Sequence, residues 1–80
     1  MRILDINNGK VAKNINLFLT LDEAKELHSS LDNLIRKPDK NHVHIADFEF
    51  NYEITVSVYT ENNLKFYDSK SQQLILRGDI

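Results

Sequence analysis

The chain has no cysteine and no tryptophan, one proline, and only two glycines among its 80 residues. Each scarcity closes off a chemistry or an architecture. Without cysteine no disulfide can staple the fold, and no thiolate can hold a metal or act as a nucleophile. Gly9 and Gly78 are too few for a phosphate-cradling loop, and both read as turn residues. No apolar run approaches the roughly 18 residues of a membrane span, and the N-terminus lacks the basic-then-apolar pattern of a secretory leader. No serine sits in a nucleophile elbow: Ser29 and Ser30 fall mid-helix and Ser57 mid-strand. With no cofactor fingerprint either, the expectation is a cytoplasmic protein that is not an enzyme and carries no cofactor.

The charge balance is also uninformative in one useful way. Ten basic and twelve acidic side chains give a net charge of −2, with the signs interspersed. Nucleic-acid binders neutralise phosphates with clustered Lys and Arg, so this chain is a poor candidate for one. Its hydrophobic fraction of 41% suffices for a core in a single small α+β domain spanning 1–80.

The segment from Thr20 to Lys37 organises the rest. Leu21, Ala24, Leu27, Leu31, Leu34 and Ile35 recur at spacings of three and four, which makes one apolar helical stripe. Thr20 and Glu23 form a capping box, and Pro38 stops the helix. Asp22, Glu23 and Glu26 lie toward its positive end, Arg36 and Lys37 at its negative end.

Before this helix, Arg2 to Ile6 alternate and Asn8-Gly9 is a hairpin signal. A two-residue loop there would set Ile6 opposite Val11 and Leu4 opposite Lys13. Leu4, Ile6, Val11, Ile15, Leu17 and Leu19 would then share one sheet face. After the helix, Pro38 to Asn41 form a polar loop, and His42 to Tyr59 read as a second hairpin. Ile54, Val56 and Val58 mark its second strand. A two- or four-residue turn near Phe50-Asn51 would put Val43 and Ile45 on the core face with them. An odd-length loop, or a bulge near Asp47, would bring Phe48 and Phe50 inward instead. The first register is favoured. Glu61 to Asn63 form a turn, and Leu64 to Tyr67 a short strand or an extended lead-in. Ser69 to Gly78 read as a short helix with a Ser69–Gln72 capping box and Gly78 past its end. A third hairpin is the alternative. The expected fold is α+β: ββαββ with one antiparallel sheet, the central helix on one face, and a short C-terminal helix.

Three sets of residues carry possible chemistry. His42 and His44 form an H-x-H pair that points to one side of a strand, and His28 lies within the helical arc. Together they could supply ligands to a metal such as zinc, although two edge histidines and one at the core margin are the plainer reading. Asp47, Glu49 and Glu53 gather around the second hairpin, where carboxylates ordinarily protect an edge rather than do acid–base work. The aromatics say more. Phe48, Phe50, Tyr52 and Tyr59 fall mostly off the helix-facing positions. They would either bury under the C-terminal segment or form a partner-binding patch with Asp47 and Glu49 at its rim.

The combination Leu19-Thr20…Glu23-Ala24, His42…His44 and Glu53 to Tyr59 resembles short bacterial or phage proteins of unknown function. That resemblance implies a bacterial or phage origin and no activity. The leading functional expectation is a small protein–protein interaction module, of inhibitor, immunity or regulatory type, possibly homodimeric. The alternatives are a metal-binding protein using His42 and His44, and a single-stranded nucleic-acid binder that stacks bases on the aromatics.

Overall fold

The computed structural model describes residues 1–40 and 42–79, so Asn41, at the end of the expected polar loop, lies outside the described residues. The order of elements is β1 (Leu4–Asp5), β2 (Lys10–Val11), α1 (Leu21–Arg36), β3 (His42–Ala46), β4 (Glu53–Ser57) and α2 (Ser69–Arg77). Short 3-10 turns cover Pro38–Lys40 and Leu64–Phe66. The fold is mixed α+β, with the long helix and the short C-terminal helix where the sequence puts them. One feature of the expected architecture is corrected. The four strands form two separate two-stranded antiparallel sheets, β1-β2 and β3-β4, rather than one sheet.

The chain divides into two compact units, one of residues 1–17 with 64–80 and one of residues 18–63. In the first, β1 and β2 pair Leu4 with Val11 and Asp5 with Lys10. The register differs from that of a two-residue Asn-Gly loop because two side chains build a longer one. The Asp5 carboxylate accepts from Asn7 N–H at 3.0 Å and the Asn8 side chain accepts from Lys10 N–H at 2.8 Å. The Gly9 N–H then closes on the Asp5 carbonyl at 2.8 Å, with Gly9 in the left-handed region at φ 71°. This four-residue loop leaves strands of two residues, with one further backbone bond from Ala12 to Ile3. So short a ribbon offers little edge for a larger sheet. Ile15 and Leu17, expected on a strand face, lie outside any strand and are exposed.

Leu64 to Phe66 turn as a 3-10 segment rather than extending. Asp68, not Ser69, caps α2: its side chain accepts from Ser71 N–H at 3.3 Å. Asp and Ser cap about equally well, so the helix begins at the earlier of the two. Hydrogen bonds from the Ser71 side chain and then its backbone hold the Asp68 carboxyl below its ordinary value. At the other end Gly78, at φ 82°, donates to the Leu74 carbonyl at 2.8 Å. That carbonyl also accepts from Arg2 Nε at 2.9 Å. Leu74 is the buried apolar residue of α2.

In the second unit, α1 carries the expected capping box. Glu23 N–H donates to Thr20 Oγ1 at 3.1 Å and Thr20 N–H donates to Glu23 Oε1 at 2.8 Å. The helix packs on β3. Leu34 is fully buried, Leu27 and Leu31 are half-buried, and Leu21 and Ile35 remain exposed. The geometry explains the partial cover: a 16-residue helix is about 24 Å long, whereas five-residue strands span about 17 Å and two of them are narrow. The β3-β4 register pairs Val43 with Val56 and Ile45 with Ile54. Ile45 is buried, and Val43, Ile54 and Val56 are half-buried. The favoured register, with the valines and isoleucines rather than the phenylalanines facing inward, is the one formed.

Asn63 is the buried polar residue of this unit. Its Oδ1 accepts from Thr60 N–H at 2.6 Å, and its Nδ2 donates to the carbonyls of Pro38 at 3.0 Å and Val58 at 2.9 Å. The turn after β4 is thereby tied to the end of α1, and the amide has no unmet demand.

Candidate functional site

Six residues, Asp47 to Tyr52, connect β3 to β4. Asp47 makes most of the turn by itself. Its N–H donates to the Tyr52 carbonyl at 3.1 Å, its carboxylate accepts from Tyr52 N–H at 2.9 Å, and its carbonyl accepts from Phe50 N–H at 3.0 Å. These bonds close a four-residue loop, Phe48 to Asn51, at whose tip Asn51 Nδ2 donates to Glu49 Oε2 at 3.1 Å. The even loop length preserves the β3-β4 register. It also forces Phe50 to φ 58°, a left-handed conformation in which a bulky side chain is uncommon.

The tip gains no burial for this strain. Phe48 is 97% exposed, Phe50 83% and Tyr52 78%. Tyr59, beyond the end of β4, is less exposed at 46%. The two phenylalanines line an open depression with Ala46, Asp47, His44, Glu53 and, from α1, Glu26. Its volume is about 480 Å³. Of the residues marked out by sequence, Asp47, Phe48 and Phe50 come together there. Glu49, Tyr52 and Tyr59 do not line it.

His44 stands opposite Thr55 in the register. Its Nδ1 lies 2.8 Å from Thr55 Oγ1 and 2.9 Å from Glu53 Oε1, so two oxygens share one ring nitrogen. His42 meets His44 edge to face, with ring centroids 5.0 Å apart. The H-x-H pair therefore shares one side of β3, as its spacing requires. His28 is exposed on α1. Among the described residues no group of three or more His, Cys, Asp and Glu side chains is placed to hold a metal ion.

Two features of the site go beyond the motifs read from the sequence. Glu26 was legible only as an acidic residue toward the start of α1, and no local pattern couples it to a hairpin some 20 residues later. The second is a charge asymmetry: from position 41 to position 63 there is no Lys or Arg, while Asp47, Glu49, Glu53 and Glu61 are all present. That signal was available by counting. No family model matches the chain, and neither a curated protein nor a solved structure matches it significantly.

Proposed function

We propose that the chain is a small protein-binding module, of inhibitory, immunity or regulatory type, and that the tip of the β3-β4 hairpin is its contact surface. The observation that carries this reading is Phe50: an exposed aromatic held at positive φ beside a fully exposed Phe48. Neither feature helps the chain fold. An exposed phenylalanine forgoes about 1.5–3 kcal/mol of burial, and a left-handed non-glycine residue costs about 1–2 kcal/mol. Both costs are offset if a partner buries the rings, because aromatic anchors supply much of the energy at interface centres. Strained residues of this kind cluster at ligand clamps and recognition loops. A cytoplasmic setting fits a cysteine-free chain of this composition.

The test is affinity capture by the immobilised chain beside a folded Phe48→Ala/Phe50→Gly variant. A protein retained by the parent and lost from the variant supports the reading. Equal retention by both places the contact elsewhere.

Self-association is a second reading, favoured by one observation. Among the described residues, β3 and β4 pair only with each other, which leaves an outer edge on each strand of the sheet. Sedimentation should then show a concentration-dependent dimer, and a monomer at high concentration would exclude it.

A further inference from the structure

We infer that the depression beside the hairpin tip receives an arginine side chain of a basic protein partner; this rests on the binding-module reading and gives that partner's chemistry. Three acidic residues line the depression: Glu26 from α1, Asp47 at the turn and Glu53 at the start of β4. Among the described residues no Lys or Arg lines it. The hairpin that forms it carries no Lys or Arg from position 41 to position 63, and its basic side chains there are His42 and His44. Phe48, Phe50 and Ala46 supply the apolar part of the wall.

A wall of two phenyl rings beside carboxylates selects one kind of guest. The ring faces attract a cation, and the carboxylates pair with it. A guanidinium suits both surfaces at once. It is planar and weakly hydrated, it stacks on aromatic faces, and its fork of N–H donors matches a carboxylate in two-point fashion. An ammonium is a strongly hydrated point charge and uses the rings less well. The same carboxylates repel the phosphates of a nucleic acid and the headgroups of an anionic membrane. The volume of about 480 Å³ exceeds a guanidinium, leaving space for the side chain's methylenes and its neighbours. Glu53 Oε1 lies 2.9 Å from His44 Nδ1 and Asp47 Oδ1 accepts from Tyr52 N–H at 2.9 Å, so one oxygen of each has a resident partner and Glu26 is the more open acceptor.

The experiment is a titration of the full chain, followed by its ¹H–¹⁵N spectrum, with the probe acetyl-Gly-Arg-Gly-amide. Matched peptides carry citrulline, the uncharged isostere, or lysine at the central position. The expected result is saturable shifts confined to His44, Ala46 to Glu53 and Glu26 with the arginine peptide, weaker shifts with lysine and none with citrulline. Glu26→Gln should weaken the arginine midpoint about tenfold, the effect of losing one charge-assisted hydrogen bond. Phe48→Ala should weaken it by a similar factor, and the dispersion of the same spectrum shows whether either variant is folded. Absence of saturable shifts overturns the inference. So do equal responses to citrulline or lysine, or shifts of the same midpoint at a remote carboxylate such as Asp39. The two proposals fail separately. A partner captured through Phe48 and Phe50 but indifferent to Glu26→Gln leaves the binding module standing and removes the arginine. A parent and variant that capture equally remove the tip as the contact surface, whatever the peptide does.

Discussion

The side-chain amide of Asn63 donates to the Pro38 carbonyl at 3.0 Å, across 25 positions of sequence. Its second hydrogen goes to Val58, so one buried side chain joins the end of α1 to the end of β4. Asn63→Asp keeps the shape and turns a carboxylate toward two carbonyls. We expect it to cost about 2 kcal/mol or more, since each buried group left unpaired costs about 1–3 kcal/mol. Urea unfolding measures this as a lower midpoint at an unchanged slope. A loss below about 0.5 kcal/mol would mean that the amide is not the tie described.

Phe50→Gly should stabilise the chain by about 1 kcal/mol. Glycine adopts φ 58° without the steric penalty a bulky residue incurs, and an exposed ring gives up little when removed. Phe48→Ala should change stability by less than about 0.5 kcal/mol. Thermal unfolding of the two variants checks both signs. Destabilisation by more than about 1 kcal/mol in either would show that the rings are part of the core.

Arg2 places its guanidinium on the Leu74 carbonyl near the C-terminal end of α2, where positive charge is favoured. Arg2→Met keeps much of the stem and removes the donor. The expected cost is about 0.5–1 kcal/mol, accompanied by faster amide exchange at Gly78, whose N–H shares that carbonyl. Unchanged exchange at Gly78 would detach Arg2 from the stability of the helix end.

Asp68 gives a pH dependence of known sign. Its carboxyl is lowered in the folded chain by the Ser71 hydrogen bonds, so folding favours the ionised form. That contribution is fully present above the ordinary value of 3.8 and is lost as the pH falls through the lowered folded value. Asp68→Asn retains a capping oxygen without the charge. The parent's advantage over this variant, followed by exchange protection of the first α2 amides, should therefore hold at neutral pH and vanish in strong acid. An advantage that persists in acid would assign the effect to geometry instead.

How far the sequence reveals this arrangement depends on whether the deciding interactions are local. The α1 boundaries were legible because Thr20, Glu23 and Pro38 act within one turn of the helix ends. The β3-β4 register was legible because Val43, Ile45, Ile54 and Val56 leave only one apolar face of aliphatic residues. The first hairpin was not, because Asn8-Gly9 is a strong turn signal while the Asp5 and Asn8 side chains closed a longer loop. The separation into two sheets follows from that same loss of strand length. In the candidate site, Asp47, Phe48 and Phe50 were marked by their position near a hairpin tip. Glu26 was not, since packing of α1 on β3 brings it there, and periodicity carries no such information. Asn63 read simply as a turn residue, because its partners at Pro38 and Val58 belong to other elements.

Site-directed photocrosslinking asks of the folded chain in its cell whether the hairpin tip is a protein-contact surface. A benzoylphenylalanine replacing Phe48 would be irradiated in the source cells, beside the same probe replacing Leu76, an exposed apolar residue of α2. One discrete adduct is expected from position 48 and none from position 76. Excess parent chain should suppress that adduct, and the Phe50→Gly chain, once shown to be folded by its thermal unfolding, should suppress it far less. An adduct from position 76 with none from position 48, or equal suppression by both competitors, would remove the hairpin tip as the contact surface.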